Sequence, residues 1–229
     1  MKDIITYILF GLAFTVLAVI LISFLRAVLR AKKKRRILSD FSPEKRSVVK
    51  LFKLTFGRKN VLRNVYIPKL DENNKKTAYV FADAVVITPK KIAVCNIRNE
   101  AGLIYCDEGF DWHQIARLRS GGTVESDFSD PTKMNLEAVR AIRRLFDNAM
   151  IEPPPIEGYV IFAPQSVRFS SERANVYKLA DGYKAMKKAP LFRRIPKQSK
   201  KTFRKLILTS SASKTKAERF NIKKLTEIT

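Results

Sequence analysis

The chain has 229 residues, room for one domain of ordinary size once any membrane-spanning segment is set aside. Forty-five Lys and Arg against 21 Asp and Glu give a formal net charge of +24, while 46% apolar content excludes a chain disordered throughout. Two cysteines exclude a disulfide scaffold and a four-cysteine zinc site, and the lone histidine, His113, excludes a multi-histidine metal centre.

Ile4 to Leu25 carries no charge. At about 1.5 Å per residue it extends roughly 33 Å as a helix, enough for a hydrocarbon core of about 30 Å. A cleaved signal peptide is the competing reading, but its apolar region is shorter and ends in small residues. Here the run continues into Arg26, Arg30, Lys32, Lys33, Lys34, Arg35 and Arg36. The expectation is an uncleaved single-pass anchor over residues 1–30 and a basic juxtamembrane linker over 31–41. The positive-inside bias then places the following domain in the cytoplasm. The same basic cluster could serve only as a stop-transfer signal or could hold anionic lipid.

Ser42-Pro43-Glu44 reads as a helix start, with Ser42 as cap and Pro43 at the first position, leading into the stripe Val48, Val49, Leu51, Phe52 and Phe56 that Gly57 closes. Val61 to Pro68 alternates like a strand, and Lys69 to Lys76 reads as a turn. Tyr79 to Thr88 and Lys91 to Arg98 form a hairpin across Pro89-Lys90. Gly102 to Cys106 is a further strand. Pairing Arg98 with Leu103 sets Asn96 opposite Tyr105 and Cys95 opposite Cys106, two core thiols on one face. Trp112 reads as a core anchor and His113 as its exposed neighbour.

A loop around Gly121-Gly122 precedes Asp130-Pro131, a second helix start, after which Leu136, Val139, Ile142, Leu145 and Phe146 recur at helical spacing. Pro153-Pro154-Pro155 turns into a buried strand at Tyr159 to Ala163. Beyond it, Ala174 to Lys188 and Gln198 to Leu208 are expected helices. Between Lys184 and Lys224 stand fifteen Lys or Arg and one acidic residue, Glu218. Charge of that density either binds a polyanion or stays solvated. Arg193, Arg194, Lys197, Lys200, Lys201, Arg204 and Lys205 are the candidate contacts. No Gly-rich phosphate loop is present.

Residues Tyr79 to Gln114 and Asp130 to Phe146 resemble the nuclease-related domain (NERD), a branch of the PD-(D/E)xK nuclease fold that often follows a membrane anchor. The family pattern is a strand ending in Asp and a hydrophobic run, a strand with Glu-x-Lys-Asn and a following Gly, a Trp, and a helix opening Asn-Pro-x-x-Gln. The corresponding segments are Tyr79-Val80-Phe81-Ala82-Asp83-Ala84-Val85-Val86-Ile87, Val94-Cys95-Asn96-Ile97-Arg98-Asn99-Glu100-Ala101-Gly102, then Trp112, and Asp130-Pro131-Thr132-Lys133-Met134. The resemblance implies a mixed α/β fold: a restriction-endonuclease-like sheet flanked by helices over residues 42–164. A basic, partly helical region follows over 165–229.

It also implies a site at Asp83, Asn96 and Arg98, with Glu44 loosely at the place of an early family Glu. In the family the Asp and Glu hold Mg²⁺ or Mn²⁺, and the Lys positions or deprotonates a water. Asp83 keeps the ligand type. Asn96 replaces the Glu with a weak neutral ligand, Arg98 replaces the Lys with a group that stays protonated, and Met134 replaces the Gln. The expectation is a catalytically degenerate domain that binds nucleic acid or another polyanion without needing a cofactor. Asp83 would then pair with Arg98, the guanidinium standing where the cation was. The alternatives are an active Mg²⁺- or Mn²⁺-dependent endonuclease with ligands displaced to Glu44, Glu100 or Glu137, and a membrane scaffold that binds anionic lipid or an acidic partner.

Overall fold

Two compact units, Met1–Ser39 and Asp40–Thr229, make up the chain in the computed structural model, which describes residues 2–40, 42–107, 111–118, 121–188 and 195–226. The first unit is one helix, α1 (Lys2–Ser39), which continues without a break through the basic stretch. Its segment Phe14–Ser39 is long and apolar enough to cross a membrane.

The second unit is mixed α/β with two mixed sheets. The larger has the order β1 (Val61–Leu70), β2 (Lys76–Ile87), β3 (Ile92–Arg98), β7 (Ile156–Phe162) and β9 (Val176–Lys178). β1, β2 and β3 are antiparallel neighbours, whereas β7 and β9 join in parallel. The β2–β3 turn is closed by Thr88, whose Oγ1 donates to the Lys91 carbonyl and accepts from the Lys91 N–H. Two helices, α3 (Pro131–Asn148) and α5 (Lys197–Ser210), pack on one face in a cluster that holds Val85, Ile87, Ile92, Val94, Ile142, Phe146, Phe203 and Ile207. Cys95, pointing the other way from Val94, meets Met186 of α4 (Leu179–Lys187), and α4 is tied to α2 (Lys45–Phe56) by Thr55 and Tyr183. The sheet is therefore covered on both faces, which is why β2 and β3 read as nearly continuous apolar runs.

α3 starts where expected: Asp130 Oδ1 accepts from the Thr132 N–H at 2.7 Å, and Pro131 opens the helix. α2 starts at Lys45, two residues later than the sequence suggests, with no side-chain cap. Asp40 Oδ1 accepts from the Ser42 N–H, an Asx turn that keeps Ser42 in the approach to the helix.

The strand after the hairpin departs further from expectation. β4 (Leu103–Tyr105) does not pair with β3, because the free edge of β3 is taken by seven residues of β7. β4 instead pairs with β5 (Trp112–Arg117) and β8 (Arg168–Phe169) in a second sheet that ends on β6 (Thr123–Phe128). Cys95 and Cys106 therefore lie in different parts of the structure, both free and buried. The β5–β6 hairpin occupies the expected loop, turning through Gly121 and Gly122 at φ 89° and 84°. Trp112 is buried there, stacked on Phe162, and His113 is half-buried with Nδ1 2.6 Å from Asp127 Oδ1. The helix expected from Ala174 begins only at Leu179, since Val176–Lys178 adds to the sheet as β9. A last helix, α6 (Lys214–Thr226), was not legible in the sequence.

Candidate functional site

Asp83 sits where the β1–β2 ladder is distorted. Arg63 pairs with Ala84 and Val65 with Ala82, leaving Asn64, at φ 49°, opposite Asp83. Leu62 and Val65 both enter the α3-side core although they are three residues apart, as do Val85 and Ala82. A regular strand would put such pairs on opposite faces, so the side-chain alternation slips at this point. The slip lets the Asp83 carboxylate, only 7% exposed, meet Lys45 in the first turn of α2. The ammonium lies 3.2 Å from Oδ1 and 3.4 Å from Oδ2, and Oδ2 also accepts the Ile97 N–H at 2.7 Å.

Arg98 does not fill the role of partner to Asp83. Its guanidinium binds Glu100, Nε to Oε2 at 3.0 Å, and lies over the Phe128 ring at 4.9 Å. Asn96, two residues from Val94 on the α3-side face, is 4% exposed, and its Oδ1 has no hydrogen-bond partner. Glu44 is exposed at the cap position of α2, with its carbonyl accepting the Ser47 and Val48 N–H groups. Glu137 binds Lys69 at 2.9 Å. Neither Glu100 nor Glu137 is thus free to complete a site at Asp83.

A family model described as the nuclease-related domain matches residues 30–163, more than half of the chain. The chain belongs to the NERD family. No curated protein and no solved structure matches it.

The metal that the resemblance to nucleases implies does not fit this NERD domain. A hard divalent cation needs several oxygen ligands, and Mg²⁺ is usually held by one or two free carboxylates together with water and substrate phosphates. Here the motif carboxylate is paired with Lys45, Asn96 supplies no charge, and Arg98 is engaged by Glu100. Among the described residues no three His, Cys, Asp or Glu side chains lie close enough together to hold a metal ion. What the arrangement offers chemically is a fixed, neutralised carboxylate that ties α2 to the β2–β3 hairpin.

Lys45 is the residue that reading the sequence missed. Nothing in its spacing signals the contact, which depends on the slip at Asn64 and Asp83. A second buried network lies at the far end of the hairpin. Lys91 Nζ meets Glu157 at 2.7 Å and the Tyr159 hydroxyl, and that hydroxyl donates to Glu157 at 2.6 Å. Burial and the Glu157 hydrogen bond push the Tyr159 pKa well up.

The basic residues anticipated in the C-terminal region separate into three groups. Lys197, Lys201 and Lys205 recur every fourth residue along α5 and are exposed. Lys200 and Arg204 are half-buried, with Arg204 Nε shut away from solvent without a partner. Arg193 and Arg194 lie outside the described residues. Burial of Phe203 and Ile207 fixes the orientation of α5 against the core.

Proposed function

We propose that this NERD protein is a membrane-anchored, catalytically degenerate nuclease-related domain that binds nucleic acid through its basic surface and does not cleave it. The observation that carries the reading is the Lys45–Asp83 pair: an ammonium stands against the motif carboxylate, at 3.2 Å. The positions beside it hold Asn96 and Arg98, neither of which supplies a ligand charge or a general base. The net charge of +24 and the exposed α5 lysines support a salt-sensitive, largely sequence-independent affinity for phosphates. α1 serves as the anchor, and its basic residues Arg26 to Arg36 orient the domain toward the cytoplasm.

The test is to incubate the full chain in detergent with labelled single- and double-stranded DNA and RNA, with Mg²⁺ and with Mn²⁺, beside Asp83→Ala. Binding without cleavage is expected. Metal-dependent cleavage that disappears in Asp83→Ala would overturn the reading in favour of an endonuclease with displaced ligands. Tight association with phosphatidylserine vesicles and none with nucleic acid would instead make the domain a lipid-binding scaffold.

A further inference from the structure

The α5 lysines project from a convex helix. The opposite situation occurs along the outer side of α3, where a groove of about 560 Å³ runs between that helix, β7 and the approach to β9. One wall carries Lys133, Arg140 and Arg143, all exposed. From the first to the last is ten residues, about 15 Å of helix, a span that a few successive phosphates of one strand can cover. Arg140 and Arg143 make no hydrogen bond or ion pair among the described residues. The one acid at the groove among the described residues, Glu157, is turned to Lys91 and Tyr159. Three cations thus face a trench that contains no unneutralised carboxylate.

The trench is built into the packing. Its floor passes Gly158, where a Cβ would stand 2.0 Å from Asn135 Oδ1, so only glycine lets α3 approach β7 this closely. The far rim is Asn175, an exposed residue held at φ 65° while its carbonyl accepts the Val160 N–H at 2.8 Å. Asparagine is one of the few non-glycine residues that takes this conformation readily, and it holds the rim at a fixed turn. Its side-chain amide offers donors opposite the α3 cations.

We infer that this α3 groove seats the sugar-phosphate backbone of a nucleic acid. The inference rests on the proposed function and gives it a location away from the family's degenerate site. A recessed, cation-walled trench fits a chain of phosphodiesters, whereas the flat headgroup plane of a bilayer meets convex surfaces. Among the described residues no aromatic side chain lines the groove, so its grip is electrostatic and tolerant of sequence.

The experiment is fluorescence anisotropy of labelled DNA and RNA oligonucleotides with the full chain in uncharged detergent, across a salt series. It compares wild type, R140E/R143E, R140K/R143K and the α5 variant K197E/K201E. Because Arg140 and Arg143 are exposed and unpaired, both groove variants should melt with the wild type. R140E/R143E is expected to weaken binding by at least about tenfold and to flatten the plot of log K against log salt by about two, one per lost phosphate contact. R140K/R143K should keep most of the affinity, and K197E/K201E should lose less than R140E/R143E. Wild-type binding that R140E/R143E leaves within twofold overturns the groove while the functional reading stands. A wild type that binds no nucleic acid at low salt overturns the functional reading itself. Phosphatidylserine vesicles that lose binding in R140E/R143E while nucleic acid keeps it would reassign the groove to lipid.

Discussion

Lys45 Nζ lies within 3.4 Å of both carboxylate oxygens of Asp83, the residue for which the sequence resemblance implied a metal ion. Asp83 is nearly buried and Lys45 is 42% exposed, so the pair sits at the edge of the core with water reaching its cationic half. That asymmetry matters energetically. The ammonium keeps part of its hydration, while the carboxylate is compensated by the ammonium and by the Ile97 N–H together. The pair is a strut between the first turn of α2 and the β2–β3 hairpin.

Asp83→Ala leaves the Ile97 N–H buried without an acceptor, and a lost hydrogen bond to a charged group of this kind costs about 3 kcal/mol. For a domain of this size that is a fall of about 6–12 °C in melting temperature. Arg98→Ala breaks only the Glu100 pair and the contact with Phe128, at about 1 kcal/mol. Thermal melts of the two variants should therefore separate clearly. Equal losses would mean that Asp83 and Arg98 act as one pair, the arrangement expected from sequence alone.

Divalent cations should leave the fold's stability alone. A ligand that binds only the native state stabilises it by RT ln(1 + [L]/Kd), about 2.7 kcal/mol at one hundred times Kd. With Asp83 neutralised by Lys45 and no acidic trio among the described residues, Mg²⁺ or EDTA is expected to move the melting temperature by less than about 1 °C. A saturable rise with Mg²⁺ that vanishes in Asp83→Ala would place a metal at that carboxylate after all.

Cys95 is fully buried against Met186, and burial, followed by the nearby Asp83 charge, pushes its thiol pKa up. In the unfolded chain the thiol ionises near its ordinary value of about 8.5, so between that pH and the raised native value the unfolded state has lost a proton that the native state keeps. Stability then falls as pH rises, and Tyr159, also raised, acts in the same direction at higher pH. Denaturant midpoints should decline above about pH 9, and Cys95→Ala should flatten the first part of that decline. A maleimide probe should label neither cysteine before unfolding, since Cys106 is buried as well. Rapid labelling of Cys95 in the native protein at neutral pH would refute the assignment.

Asn221 of α6 donates from Nδ2 to the Tyr79 carbonyl at 3.0 Å and accepts the Tyr79 N–H through Oδ1 at 2.8 Å. The side-chain amide thereby imitates a neighbouring strand along the part of β2 that β3 does not reach, since β3 pairs only from Ala84. Asn221→Ala removes both bonds and should cost about 1–3 kcal/mol. Hydrogen exchange at Tyr79 should accelerate with it, while β3 amides stay protected. If Tyr79 keeps its protection, α6 does not guard this edge.

These contacts mark where the sequence was readable. Asp130-Pro131 specified a helix start because a side-chain cap and a proline act within three residues. The β2–β3 hairpin was equally legible, since two β-branched runs flank a short turn. Partners far apart in sequence were not. β4 lost the edge of β3 to β7, a competition decided by the length of a strand more than fifty residues downstream. Asp83 could be singled out from its motif, but its partner could not, because the lapse in side-chain alternation at Asn64 and Asp83 decides which face it meets. α6 hides its role in a single asparagine, and its basic, weakly amphipathic sequence gives no other signal.

Gly158 and Asn135 should prove energetically coupled. A Cβ at residue 158 would stand 2.0 Å from Asn135 Oδ1, and Asn135 cannot swing aside without giving up the bond from its Nδ2 to the Val94 carbonyl at 3.0 Å. Gly158→Ala is therefore expected to cost about 2–3 kcal/mol through overpacking. Asn135→Ala alone should cost about 1–2 kcal/mol for the lost hydrogen bond. In the double variant the new methyl group finds the space that the amide has left, so the combined loss should fall short of the sum by about 1–2 kcal/mol. Denaturant titrations of the four proteins close this cycle. Strict additivity would mean that α3 shifts bodily away from β7 to admit the methyl group, and that the floor of the groove is softer than its packing implies.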